Sequence, residues 1–262
     1  MSEPEAGHDG ADPVALCEFV AQGEGRSFTG THTVRLGDVL PSGGARLDAL
    51  ARWLQDVAAD DVRDAGIEGE AVWVTRRTAL QLRHRPRYNR PVQLVTWCSG
   101  TGAAWAERRT TIIGDDGIAV EAAALWVCLH PERMRPMPIA PRLLSLWGAQ
   151  AGSRAVRSKL GHPDPPPGGT VDRSVPLRLA DLDMIGHVNN AIAWAVFEEE
   201  VVRAVPGAEV IEAEVEYRAA IESESDIIVR TAVDGRTVSC WLVDQSGASQ
   251  ASARVRLRRS QP

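Results

Sequence analysis

The chain has 262 residues, of which 44% are hydrophobic and 24% charged, and its formal net charge is −6 at pH 7. Those values describe a globular protein that can bury a sizeable core, as one large domain or two small ones. The acidic balance argues against a nucleic-acid partner, and no apolar run reaches the roughly 18 residues that would argue for a membrane span.

Residues 1–27 begin acidic and glycine-rich, without the basic-then-apolar layout of a signal peptide. They are read as a flexible segment on a cytoplasmic protein. Residues 28–135 follow as a first domain. Within it Leu47, Leu50, Ala51, Leu54, Val57, Ala58 and Val62 recur at i, i+3, i+4 and i+7. That spacing predicts a helix with one apolar face, stopped by Gly66. Farther on, Arg83, His84, Arg85, Arg87 and Arg90 concentrate positive charge, either to steer an acidic partner or to keep a solvated edge strand from aggregating. Thr111 to Gly117 carries a tight hairpin turn at Gly114 to Gly117. Trp53, Trp73, Trp105 and Trp126 are expected to line the core or a channel.

Residues 136–170 are rich in proline and glycine, as in Pro165-Pro166-Pro167-Gly168-Gly169, and have the composition of a linker. The apolar stretch Leu143 to Trp147 inside it is expected to dock on a domain. Four cysteines (Cys17, Cys98, Cys128, Cys240) are scattered and form no Cys-x-x-Cys pair, so neither disulfides nor a metal is expected.

Residues 171–262 form the second domain. An extended run, Val175 to Leu179, leads into Asp181-Leu-Asp-Met-Ile-Gly-His-Val-Asn-Asn190. The next stretch, Val188 to Phe197, is apolar nearly all round and must be wrapped by a curved sheet. Glu198 to Glu200 are read as a solvated helix end. In Ala251 to Leu257 the apolar Ala253, Val255 and Leu257 alternate with Arg254, Arg256 and Arg258, as in a sheet with one wet face.

The two domains read as copies of one unit. Arg35-Leu-Gly-Asp38 through Gly43 lies over Arg178-Leu-Ala-Asp181 through Gly186 at an offset of 143 residues. Thr111 to Gly117 lies over Trp241 to Gly247 at an offset of 130 residues. The difference of 13 calls for an insertion in the first copy, between its helix and its last strands. One helix enclosed by an antiparallel sheet, repeated, is a tandem (double) hotdog of the α+β class.

The copies also separate structural from chemical residues. Asp38 lies over Asp181, so both are read as turn or capping residues. Leu40 lies over Asp183, Ser42 over Ile185 and Gly44 over His187, so only the second copy holds a chemical site. A carboxylate, a glycine and a histidine before a helix start suit acyl transfer to water. Asp183 would be base or nucleophile. The N–H groups of Gly186, His187 and Val188 are expected to be free for an oxyanion, with His187 positioning the substrate or supporting the oxyanion. Asn189 and Asn190 serve either as hydrogen bonders at the helix start or as site-orienting residues.

The segment resembles the acyl-ACP thioesterase family, whose pattern here is Asp-x-Asp-x-Asn-x-His-Val-Asn-Asn followed by a helix. Asp183, His187, Val188, Asn189, Asn190 and Glu199 match it, and the resemblance extends over nearly all residues after about 28. It implies a tandem hotdog in which the first copy supplies the acyl pocket. It further implies hydrolysis of fatty acyl-ACP, or acyl-CoA, in fatty acid biosynthesis, with no cofactor, by a monomer or homodimer. The alternatives are an acyl-thioester binder without turnover and an acyl-CoA thioesterase or hydratase independent of ACP. Two positions depart from the family. Ile185 stands where its Asn is expected, and after Glu216-Tyr217-Arg218 its Glu-Cys pair is replaced by Ala220-Ile221. Glu222, two residues on and so on the same strand face, is the candidate replacement acid.

Overall fold

A computed structural model describes residues 20–258 apart from residue 167. Cys17 and most of the 1–27 segment lie outside the described residues. In the first half, β1 (Ser27–Thr33) precedes α1 (Leu47–Asp64), β2 (Val72–Leu82), β3 (Pro91–Thr101), β4 (Trp105–Gly114) and β5 (Gly117–Leu129). After α2 (Pro141–Ala151), the second half repeats the order as β6 (Val171–Val175), α3 (Asn190–Ala204), β7 (Glu209–Tyr217), β8 (Ile227–Asp234), β9 (Thr237–Val243) and β10 (Ser249–Arg258). None of the described helices is long and apolar enough to cross a membrane.

The strands form one antiparallel sheet of ten, ordered β1-β3-β4-β5-β2-β7-β10-β9-β8-β6. The halves join where β2 pairs with β7, from Arg77 opposite Glu216 to Gln81 opposite Glu212. Each half is therefore five strands about one helix, the tandem hotdog arrangement. Leu47, Leu50 and Leu54 of α1 and Trp194 and Phe197 of α3 share a single buried core with the inward residues of both half-sheets. On β10, Ala253, Val255 and Leu257 are buried while Arg254 and Arg258 are exposed, as the alternation requires. Trp194 adds a polar anchor: its Nε1–H donates to the Tyr217 hydroxyl at 2.9 Å, which donates to the Asn190 carbonyl at 3.1 Å. Burial pushes the Tyr217 hydroxyl well above its ordinary range, so it stays a neutral donor.

Three local expectations change. The strand entering the second half ends at Val175, because Pro176 cannot donate to a ladder; Leu179 instead sits in a 3-10 turn, Leu179–Asp181. The arginine-rich segment is the connection between β2 and β3 rather than an edge strand. Within it Arg85 and Arg87 already hold the carbonyls of Ala45 and Ser42, which leaves less charge free for a partner.

The extra 13 residues of the first copy divide between two places. The offset is 143 where α1 and α3 begin. It is 135 at Pro86 and Ile221, whose carbonyls accept the N–H of Ala45 at 2.8 Å and of Val188 at 2.9 Å. It is 130 at Ile112 and Leu242, which face Leu94 and Val229 across matching ladders. Eight residues thus lengthen the route from α1 to β2, and five lengthen the β3–β4 hairpin.

The segment expected to be a linker is tied down from Leu143 to Pro163. Leu143 and Trp147 of α2 are buried against the end of α1 and the sheet, and Trp147 Nε1–H donates to Asp61 Oδ2 at 3.1 Å. Beyond α2, the Val156 carbonyl accepts Trp105 Nε1–H at 2.8 Å, and the Pro163 carbonyl accepts Trp241 Nε1–H at 2.8 Å. Between them the fully buried Glu216 accepts the N–H groups of Gly161 at 2.5 Å and His162 at 3.0 Å. The His162 ring lies between Ser252 Oγ and Glu214 Oε1, both at 3.0 Å. His162, Glu214 and Glu216 have donor atoms close enough to hold a metal ion. Each of those donor atoms already has a hydrogen-bond partner, which accounts for the trio as an anchor.

Glu216→Ala should strand two N–H donors and cost about 2–3 kcal/mol. The expected result is a lower Tm together with faster limited proteolysis between residues 152 and 170, and unchanged cleavage there would contradict the anchoring.

Candidate active site

Two loops of one design lead into α1 and α3. In each, a 3-10 turn ends on an aspartate whose carboxylate accepts the N–H three residues earlier, Asp38 from Arg35 and Asp181 from Arg178, both at 2.9 Å. The same aspartates accept, through their carbonyls, the N–H of the residue before the helix, Arg46 and Asn189, both at 2.8 Å. Asp38 and Asp181 are turn residues, as their duplication indicates. Burial alone would raise the Asp181 carboxyl, but hydrogen bonds from Arg178 prevail and hold it below its ordinary range. Between aspartate and helix the chain reverses at a glycine of positive φ, 80° at Gly43 and 85° at Gly186, a conformation that favours glycine.

The loops differ in chemistry. Leu40 N–H donates to Gly44 O, and Asp183 N–H to His187 O, both at 2.8 Å. Asp183 adds a carboxylate whose Oδ1 accepts Ile185 N–H at 3.0 Å and His187 N–H at 3.1 Å. The first loop closes with leucine in that place, so the turn itself does not require the acid. Both of those bonds fall on Oδ1, and among the described residues Oδ2 has no partner.

The backbone donors are arranged otherwise than expected. The N–H of Gly186 is bound to Asp183 O at 3.1 Å, that of His187 to Asp183 Oδ1, and that of Val188 to Ile221 O at 2.9 Å. None of the three is free for an oxyanion, because closing the turn and pairing it to the segment after β7 consume them. Gly186 serves through its φ, and Val188 through its pairing. Asn189 caps α3, its side chain accepting Ala191 N–H at 2.9 Å and its carbonyl accepting Ile192 N–H at 2.8 Å. From 185 to 192, the N–H of Asn190 alone has no protein partner among the described residues. It sits at the first position of α3, where the helix dipole favours an anion.

Asn190 also lines a cavity of about 640 Å³. Asp183, Met184, Ile185, Asn189 and Asn190 line it from the second half; Gln55, Ala58, Ala59 and Val62 of α1, Trp73 and Trp126 of the sheet, and Trp147 of α2 line it from the first. Arg108, also in the wall, pairs with Asp61 Oδ2 at 2.8 Å and lies 5.5 Å from the Trp147 ring centroid. The two insertions of the first copy border this space: Glu68 and Gly69 come from the longer route to β2, and Ala106 from beside the turn of the longer hairpin. Of the four tryptophans assigned to core or channel, Trp73 and Trp126 line the cavity, Trp53 is core, and Trp105 holds the linker.

His187 and Glu222 face each other across a bridge, with Nε2 and Oε1 3.4 Å apart. Neither lines the cavity, so they form a pair beside the loop rather than part of its wall. Ala220 is exposed, and Ile185, at the loop tip, is 59% exposed. Sequence reasoning missed Gln55 and Arg108, which carry no local motif.

The α1 end mirrors the α3 end and overturns the reading of Glu198 to Glu200. Glu198 is buried, its Oε2 accepts the N–H of Leu47, the first residue of α1, at 2.9 Å, and Arg85 Nη2 lies 2.8 Å from its Oε1. Burial pushes its carboxyl up, opposed by Arg85 and the Leu47 N–H. Glu200 is buried against Arg173 and Thr231. Only Glu199 is solvated, pairing with Arg203 one turn along. Glu198 and Glu200 lie on the buried faces of α3, and each finds a donor there.

Two family models match the chain, "Acyl-ACP thioesterase N-terminal domain" over residues 25–147 and "Acyl-ACP thioesterase C-terminal domain" over residues 169–258. An uncharacterized protein of Mycobacterium tuberculosis is 25% identical over 186 residues, 71% of this chain and 74% of that one. The chloroplastic oleoyl-acyl carrier protein thioesterase of Coriandrum sativum is 24% identical over 66% of this chain, and the match spans 54% of the plant protein's length. Among solved structures, the 12:0-ACP thioesterase of Umbellularia californica superposes with a TM-score of 0.75 at 21% identity, over 89% of this chain and 98% of that one. An acyl-ACP thioesterase of Bacteroides thetaiotaomicron does so with 0.74 at 15% identity, over 88% and 98%. At these identities the two structures establish likeness of fold.

Because Leu40 closes the equivalent turn without a carboxylate, Asp183→Leu should fold, at a cost of about 1 kcal/mol or less. Thermal or urea unfolding checks this, and a loss several times larger would make Asp183 a structural residue.

Proposed function

The chain belongs to the acyl-ACP thioesterase family, and on that premise we propose that it hydrolyses fatty acyl-ACP to the free fatty acid and the carrier thiol. Thioester hydrolysis is the family's chemistry. The observation that carries it to these residues is the meeting, in one cavity wall, of a carboxylate its own turn does not need and the first, unpartnered N–H of a helix.

Asp183 Oδ2 takes a proton from water as the water oxygen attacks the thioester carbonyl carbon. The carbonyl π electrons move to oxygen, and the oxyanion is held by the Asn190 N–H and the dipole of α3. Collapse of the tetrahedral centre breaks the carbon–sulfur bond, and the thiolate takes a proton from Asp183. The acyl chain lies in the cavity against α1, with Trp73 and Trp126 as apolar walls. Ile185 and Met184 at the loop tip flank its entrance. The His187–Glu222 pair, outside the wall, braces the loop from behind and so positions Asp183, whose Oδ1 holds the His187 N–H. In this reading the missing Glu-Cys pair at Ala220-Ile221 is replaced by a shorter set of groups, Asp183 with Asn190, and placement of the enzyme in fatty acid biosynthesis follows from the carrier-bound substrate.

Free-thiol release from acyl-ACP tests the assignment. Asp183→Asn should lower kcat by about 100-fold or more, and His187→Ala by less, since that ring does not face the cavity. An Asp183→Asn protein at the wild-type rate would overturn the chemistry, and saturable binding without turnover by the wild type would make the protein a binder. The same acyl chain on ACP should give the higher kcat/KM than on CoA; equal or CoA-favouring values would remove the carrier from the proposal.

A further inference from the structure

The two helix N-termini are pseudo-equivalent, and only one is filled. The offset of 143 that carries Asp38 onto Asp181 and Gly43 onto Gly186 also carries Leu47 onto Asn190. The first N–H of α1 is filled by Glu198, reaching over from the middle of α3. Applied to the reciprocal contact, the offset sets Gln55, in the middle of α1, against the first N–H of α3. Gln55, Asn190 and Asp183 all line the same cavity, which is compatible with that placement. At one end of the helix pair a carboxylate caps the N–H and Arg85 neutralises it. At the other, the equivalent positions are Gln55 and Asn190: the Asn190 N–H is open, and the Gln55 side chain has no hydrogen-bond partner among the described residues.

We infer that Gln55 is a substrate-contacting residue of the thioesterase site, whose side-chain amide donates to the thioester carbonyl oxygen alongside the Asn190 N–H. The inference rests on the hydrolase reading and extends it to a residue from the other half of the chain. The chemistry requires an amide there rather than the acid found at the equivalent position. A carboxylate would accept the Asn190 N–H itself, as Glu198 accepts that of Leu47, and would place a negative charge where the oxyanion forms and close to Asp183. The amide is neutral, brings two N–H donors, and leaves the helix terminus open. Glu198 therefore shows what an occupied terminus looks like in this fold, with a side-chain oxygen 2.9 Å from the helix N–H. A carbonyl oxygen of the substrate at the same place beside Asn190 would, by the repeat offset, meet Gln55 from the opposing helix.

Gln55→Ala and Gln55→Glu test this with the full-length protein and acyl-ACP, measuring kcat, KM and Tm. Gln55→Ala should lower kcat by about tenfold or more with KM little changed. Gln55→Glu should lower it further without lowering Tm, because the new carboxylate caps α3 as Glu198 caps α1. Its rate relative to the wild type at the same pH should recover as pH falls through the carboxylate range and the new group becomes neutral. A loss below tenfold in Gln55→Ala, or a Gln55→Glu deficit that does not vary with pH, would overturn the inference while leaving the thioesterase reading in place. A wild type without turnover would remove that reading and this inference with it.

Discussion

The pairing of β2 with β7 is the constraint on which the molecule depends. It turns two five-stranded half-sheets into one and relates them by a pseudo-twofold, so that α1 and α3 lie side by side under the join. Side by side and oppositely directed, each helix presents its middle to the other's N-terminus. That arrangement creates two places where a side chain can meet unsatisfied backbone N–H groups in a low-dielectric interior, where such groups attract oxygen strongly. Everything chemical in this chain is a matter of what stands at those two places.

One has been closed. Glu198 accepts the Leu47 N–H, and Arg85, on the segment after β2, supplies the counter-charge that makes a buried carboxylate tolerable. In the second half the position of Arg85 is taken by Ala220, so nothing comparable crosses to the α3 terminus. The polar groups of the interior are concentrated at the closed place and at the linker anchors, while Asp183, Gln55 and Asn190 at the open one line a cavity. Sites that bind an incoming charge pre-arrange donors and leave them unsatisfied, which costs stability in the empty protein.

Much of this was legible in the sequence, and the failures are instructive. The i, i+3, i+4 spacing from Leu47 gave α1, the turns at Gly114 to Gly117 and Asp244 to Gly247 gave the hairpins, and the repeat separated Asp38 and Asp181 from Asp183. What failed was hydrogen-bond accounting. Gly186, His187 and Val188 have N–H groups that a sequence motif leaves apparently free, but Asp183 and Ile221 take them, and pairing with Ile221 is a long-range fact. Glu198 and Glu200 looked solvated because runs of glutamate at helix ends generally are; their place on the buried faces of α3 reverses that. Gln55 had no motif, though its offset from Glu198 was in the repeat from the start. Only the observation that Glu198 caps Leu47 gives that offset a meaning.

The continuous sheet has a consequence for how such a site can change. Were the two halves identical copies meeting across a true twofold, any substitution would enter both helix termini at once, and closing one would close the other. Carried on a single chain, the halves are separately inherited positions at fixed one-to-one stoichiometry. Arginine could arrive at 85 without arriving at 220, and glutamate could stand at 198 while glutamine stands at 55. Duplication thus released this interior from its own symmetry, and the longer segments of the first half border the cavity.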